Sequence, residues 1–342
     1  MKVIYSLTFL CFSNSVIASF LIFLTLGQLY SSLDDEEICD SMWISFNLTG
    51  FKVALDTKVY GQPLVGLANA VWHHWNDKQS AKALVLSLHG PTGTGKNYVA
   101  RILANHLYTR GTKSNFYRLF HAAVHFPHKS RLETYMSELQ EWVRGNVSRC
   151  LKSMFVFDEF DKIPHGLALL DALKPFLDHN DHIGGVDYRR AIFIFLRNDG
   201  SDLIMSHMVE QKRLGRKRYD IYTDFDNLLS KHLESEAKRS QQPGALLYHS
   251  LVSQFIPLLP LEKDHVAGCI DDYLLDNQPD YLIPTCFIDR VLADIDFQPK
   301  VERYFASSGC KRVIEKTQFI LERERIDLKR KREARKKEKL YL

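Results

Sequence analysis

The 342-residue sequence has no apparent internal repeat, no CxxC pair and little net charge, +4 with histidine neutral. Lacking CxxC pairs, it carries no zinc ribbon. The charge it has is unevenly placed: Lys329 to Lys339 holds eight Lys/Arg, whereas Asp34 to Asp40 is acidic. Without that tail the body is close to neutral, which speaks against a nucleic-acid-binding domain. His121, His125 and His128 have no companion cysteine or carboxylate to complete a ligand set, so they read as a strand end and an exposed loop. There is also no Lys-Asp-Glu-Leu retrieval signal.

What is present begins with a hydrophobic content of 45%, enough over this length to bury a large core in one large and one small domain. Lys2 precedes an uncharged, mostly apolar run from Val3 to Tyr30, broken only by Ser13-Asn14-Ser15. Residues 1–32 therefore read as a signal peptide or a membrane-associating segment, with both readings open. Asn47-Leu48-Thr49 and Asn146-Val147-Ser148 are N-glycosylation acceptor triplets, in keeping with a luminal address. Of six cysteines, five lie beyond the leader; in an oxidising lumen some pair and at least one thiol is left over.

The most informative stretch runs from Leu84 to Tyr98. An apolar strand, Leu84 to Leu88, leads into Gly90-Pro91-Thr92-Gly93-Thr94-Gly95-Lys96-Asn97-Tyr98, and helical spacing follows. Strand, glycine-rich loop, lysine and helix make a phosphate-binding P-loop. The glycines let successive N–H groups turn inward, the helix adds its positive end, and Lys96 supplies a point charge for β/γ-phosphates. Asn97 stands where a Mg²⁺-holding Ser/Thr is usual; its amide oxygen can coordinate the ion directly or through water but is not equivalent to a hydroxyl.

About sixty residues on, Ser153 to Phe157 reads as a buried strand delivering Asp158 and Glu159. Asp158 is placed for the Mg²⁺ shell and Glu159 to polarise an attacking water. Arg190 to Leu196 reads as another buried parallel strand, whose tip offers Asn198 as a water-positioning group. Ahead of the Leu84 strand, Leu55 to Asp77 has helical spacing; after the loop, Asn115 to His125 reads as a strand and Ser130 to Leu151 as an amphipathic helix opened by a Ser130–Glu133 capping box. Lys212 to Arg218 is a basic cluster read as a solvated loop, with an arginine finger as its functional alternative. The proline-interrupted Phe255 to Leu261 closes the large domain. Glu262 to Leu275, Thr285 to Asp296 and Ser307 to Leu328 read as three helices with no strand between them.

In this order, these elements resemble the AAA+ ATPases, and the wording resembles the torsin family within them. Gly93-Thr94-Gly95-Lys96-Asn97, His125-Phe126-Pro127-His128, Trp142 to Ser148, Phe157-Asp158-Glu159, Lys174 to Asp178, Phe195 to Asn198, Pro257 to Glu262 and Gly309-Cys310-Lys311 carry the likeness. It covers roughly 33–318. The resemblance implies an α/β AAA+ P-loop fold, a parallel sheet flanked by helices, with a small helical lid. The implied divisions are 33–258 for the nucleotide-binding domain, 259–321 for the lid and 322–342 for a basic tail.

It further implies ATP and Mg²⁺ as cofactors, Lys96 and Glu159 in the Walker roles, Asn198 as sensor 1 and Lys311 as sensor 2. A Cys269–Cys310 disulfide beside Lys311 is implied by the same likeness. So are weak hydrolysis alone and a membrane-anchored activator whose AAA-like luminal domain supplies an arginine finger. Protein substrates, a homo-oligomer or mixed ring, and a membrane-associated location in the lumen of the endoplasmic reticulum and nuclear envelope complete the expectation. The rival expectation is an ATP-gated binding scaffold with little or no hydrolysis.

Overall fold

The computed structural model describes residues 36–162, 166–240, 245–277 and 286–338. Residues from Cys39 onward pack as one compact unit. The hydrophobic leader lies outside the described residues. Among those that are described, no helix is long and apolar enough to cross a membrane.

Five strands, β1 (Leu84–His89), β2 (Tyr117–His121), β3 (Met154–Asp158), β4 (Ile192–Arg197) and β5 (Gln254–Pro257), form a parallel sheet in the order β2-β3-β4-β1-β5. Strands buried on both faces need apolar residues at nearly every position, and β1, β3 and β4 show this. β5 takes a proline because it is an edge strand.

Alternation along β1 separates two cores. Leu84, Leu86 and Leu88 face the layer built from α1 (Leu48–Lys58), α2 (Val65–Asn76) and α3 (Lys96–Leu107). On the other face Val85 joins Phe155, Phe157, Phe193 and Phe195 against α5 (Leu132–Arg149), α6 (Gly166–Leu177) and α9 (Ala245–Leu251). The short α4 (Ala122–His125) follows β2, and α7 (Ser201–Arg213) and α8 (Arg218–Ser240) follow β4.

The lid comprises α10 (Lys263–Asn277), α11 (Phe287–Ala293) and α12 (Val313–Glu338), with a core of its own around Val266, Ile270, Phe287, Val291 and Leu321. It also contains an antiparallel pair, β6 (Phe297–Gln298) and β7 (Phe305–Ala306), which the all-helical reading missed. Phe305 leaves the lid core to pack with Ile204, Met208, Ile221 and Phe225 of α7 and α8.

Several expected boundaries are corrected. The helical run from Leu55 splits at Gly61, which adopts a left-handed φ of 67°, and Pro63 precedes the restart at Val65. The strand expected to run to His125 ends at His121 and turns into α4. Helix α5 has Arg131 at its N-cap with no side-chain cap bond, so the Ser130–Glu133 box does not form; Ser130 lies in the preceding 3₁₀ turn. Gly309-Cys310-Lys311 lies in a turn, with α12 starting at Val313. That helix then runs unbroken across residue 322 into the basic tail.

Candidate nucleotide site

The C-terminal ends of β1, β3 and β4 open onto one cleft of about 1060 Å³, closed on its far side by α10, the 308–311 turn and α12. Thr92 to Tyr98, Asp158, Glu159, Asn198, Cys269, Cys310 and Lys311 all line it. Gly90 and Pro91 lie behind, as backbone acceptors for Lys96. Its size suits a nucleotide rather than a small ion.

The phosphate loop has the conformation that its glycines permit. Gly93 and Gly95 adopt φ of 80° and 106°, and Gly95 is the N-cap of α3. Gln62 braces the loop from below: its Nε2 donates to Leu259 O at 2.8 Å and to Thr94 O at 3.4 Å, and its Oε1 accepts from Leu259 N at 2.8 Å. Lys96 Nζ donates to Gly90 O at 2.5 Å and Pro91 O at 3.0 Å. Burial pulls its ammonium down to about 8, against the opposing pull of the Asp161 and Asp158 carboxylates. A phosphate beside Lys96 would favour the charged form.

Asn97 and Asp158, the two residues expected around a cation, touch directly, the amide nitrogen donating to Asp158 Oδ2 at 2.8 Å. His121 reaches the same oxygen at 3.2 Å from the β2 tip. Its place follows from register, because His121 pairs with Asp158 across β2 and β3. Reading the three histidines as a strand end and an exposed loop overlooked this contact. The oxygen donors here are of the hard type that Mg²⁺ prefers, so Asp158, with the Asn97 amide oxygen, fits the ion.

Glu159 is one of two non-glycine residues with positive φ among the described residues, at 55°. That sparsely populated conformation turns its carboxylate off the strand line at the cleft. Lys162 engages it, Nζ to Oε1 at 2.5 Å. Asn198, one residue past β4, has its backbone carbonyl held by Ser201 N at 3.1 Å while its side chain lines the cleft.

Lid and phosphate loop meet backbone to backbone. Cys310 N donates to Gly93 O at 3.0 Å. A Cβ on Gly93 would run into Ser308 O, and one on Gly309 into Gly93 O. Cys310 is bonded to Cys269, and Cys39 to Cys150. Among the described residues, Cys286 is the cysteine left unbonded, exposed on the surface.

The basic cluster is not a solvated loop. Lys212 pairs with Glu262 at 2.5 Å, Arg213 with Glu302 at 2.6 Å and Arg216 with Asp224 at 2.6 Å. Arg218 is bonded to Gly61 O, and burial pulls its guanidinium down to about 10 despite the nearby Glu262. The two glycosylation triplets differ in surroundings. Asn47 is exposed at the N-cap of α1, its Oδ1 accepting from Gly50 N at 2.9 Å. Asn146 is 2% exposed and donates Nδ2 to Asn115 O at 2.8 Å. A glycan at Asn146 would have to be attached before α5 packs, and would displace that contact.

A sequence profile of the family Torsin matches residues 34–157. A "Torsin-like protein" of Caenorhabditis elegans is 38% identical over 285 residues, 82% of this chain and 79% of that one. "Torsin-3A" of Mus musculus is 36% identical over 282 residues, 81% and 72% of the two chains. Among solved structures, the "S. cerevisiae Hsp104-ADP complex" superposes with a TM-score of 0.56 at 15% identity, over 83% of this chain and 48% of that one. That likeness shows the fold alone. Identity of this extent over most of both chains makes this chain a member of the torsin family.

Proposed function

We propose that the chain binds Mg·ATP in this cleft and hydrolyses it, coupling the cycle to remodelling of protein assemblies in the lumen of the endoplasmic reticulum and nuclear envelope. The observation that carries the reading is the convergence of Lys96, Asp158, Glu159, Asn198 and Lys311, from three strand ends and the lid, on one cleft. Bound Mg²⁺ would neutralise charge developing on the phosphates. The chain's own residues do the rest. The 92–95 amides and Lys96 hold the phosphates, Asp158 and Asn97 hold the ion's shell, Glu159 accepts a proton from water, and Asn198 orients that water.

A transition-state clamp also needs a cation at the terminal phosphate. Four of the five side chains in the 212–218 cluster are engaged elsewhere, which supports a finger supplied in trans by a membrane-anchored activator, within a mixed ring. The Cys269–Cys310 bond, one residue from Lys311, makes nucleotide binding redox-sensitive in this reading. ATP turnover by the luminal chain, alone and with an activator's luminal domain, tests it. Turnover only in the mixture, abolished by Glu159→Gln, is the expected result.

One observation favours the scaffold as a second reading: the Glu159 carboxylate is already ion-paired with Lys162. A scaffold would tolerate Glu159→Gln and show no turnover in either preparation.

A further inference from the structure

On the sheet face opposite α3, an aromatic ladder runs across three strands. Phe120 stacks on Phe157 at 5.0 Å, and Phe157 on Phe195 at 5.1 Å. In register, the next rung is Ser87 of β1. In place of a fourth ring, a polar chain starts there. Ser87 Oγ lies 2.5 Å from Tyr248 OH and 2.5 Å from His89 Nε2. His89 Nδ1 lies 3.0 Å from Asp199 O and 3.1 Å from Asp199 Oδ1. Arg197 grips the Asp199 carboxylate through Nε at 2.8 Å and Nη2 at 2.5 Å. The same guanidinium lies 4.5 Å above the Tyr248 ring, which closes the circuit.

Serine, histidine and aspartate in this order have the spacing of a hydrolase triad, but Ser87 and His89 are fully buried and Tyr248 occupies the side from which a substrate would approach. The side chains form one continuous hydrogen-bonded chain. It runs from Tyr248 OH through Ser87 Oγ and His89 Nε2 to Nδ1 and Asp199, a hydroxyl being able to donate or accept at each step. Burial works against the charge on Asp199, but Arg197 and the His89 hydrogen bond outweigh it and hold the carboxyl well below its usual range.

The placement is what matters. His89 and Arg197 are register partners at the tips of β1 and β4. His89 immediately precedes Gly90 of the phosphate loop, and Arg197 and Asp199 flank Asn198. The network therefore holds both neighbours of Asn198 against the root of the phosphate loop, from the face Asn198 does not use. We propose that His89, Arg197 and Asp199 are positioning residues that set the reach of Asn198 to the terminal phosphate of the nucleotide. This rests on the reading of the cleft as an ATP site with Asn198 at its far end.

The test is binding by the purified luminal chain, with Mg²⁺, of ADP and of a non-hydrolysable ATP analogue with an imido bridge, alongside thermal melting. Asn198→Ala is the control. If the wild type binds neither nucleotide, or if Asn198→Ala leaves the preference for the analogue over ADP intact, the underlying reading of the site fails and the proposal with it. With that reading standing, Arg197→Met/Asp199→Ala removes both charges together and leaves no orphan ion. It is expected to weaken the analogue by about tenfold, the worth of a hydrogen bond to a charged group, with ADP affinity within about twofold. Tyr248→Phe, which leaves every charge paired, is expected to move the preference in the same direction by less, and serves if the double variant does not fold. An unchanged preference in the variants overturns the proposal. So does equal loss for both nucleotides alongside a lowered melting temperature, the signature of a merely structural role.

Discussion

The two disulfides are the same covalent bond in two settings. Cys39–Cys150 closes 111 residues and ties the lead-in to the end of α5, where Cys150 is part of the core under α1 to α3. Neither cysteine lines the nucleotide cleft. Cys269–Cys310 closes only 41 residues, yet both of its cysteines line the cleft, and the backbone N–H of Cys310 is bonded to the phosphate loop. The first bond acts chiefly on the unfolded chain, by removing conformations from it. The second acts on the geometry of the folded site as well. Stability and ligand affinity should therefore respond oppositely in rank to loss of the two bonds.

The largest expected effect is on stability, in Cys39→Ala/Cys150→Ala. Loop-closure entropy for a loop of this length puts the loss at up to about 4.8 kcal/mol. Denaturant unfolding reads it, and nucleotide affinity of the folded fraction should stay put. An affinity shift here would break the comparison. Cys269→Ala/Cys310→Ala should lose less stability, up to about 3.9 kcal/mol on the same account. Its nucleotide affinity should change several-fold, by titration under oxidising and reducing conditions. No change, in protein shown to carry the bond beforehand, would remove the redox reading.

Gly309→Ala sharpens the contrast with both disulfides intact. Its left-handed φ of 50° and the carbonyl of Gly93 in its path give a cost of about 1–3 kcal/mol, seen as lowered nucleotide affinity more than as lowered melting temperature. The smallest effect is the acid response of the Glu262 ion pairs with Lys212 and Arg218. Glu262 is half-buried; burial opposes its charge, but Lys212, Arg218 and His265 outweigh it and hold its carboxyl below the usual value of 4.5. A carboxyl depressed in the folded state stabilises fully above that unfolded value, and the contribution is lost as pH falls through the lower folded one. Melting temperature below about pH 4.5 should therefore fall less steeply in Glu262→Gln than in the wild type.

Local signals were enough to place the glycine-rich 90–96 loop, the Asp158-Glu159 tip and the Asn198 tip at strand ends, because each is a short apolar run followed by a few chemically distinctive residues. Register was not available in this way. That His121 would meet Asp158, or that His89 would meet Asp199 across 110 residues, depends on which strands are neighbours and how they are aligned. The Asn-Asp-Gly after β4 reads locally as a turn, and it is one; the carboxylate's partner is what the sequence hides. The lid pair β6–β7 escaped for a different reason. Two residues per strand carry no alternation to detect. The Lys212–Arg218 cluster was misread because its counter-charges, Glu262 and Glu302, lie in the lid.

The contact between Gly93 and the 308–310 turn has a mechanical consequence. Most interfaces between moving parts are lined by side chains, whose rotamers take up small displacements before the backbone feels them. Here two peptide planes rest on each other with no side chain between them. Such a joint has almost no slack. A displacement of the 308–310 turn reaches the phosphate loop with no side chain to absorb it, and a distortion of the loop returns by the same route.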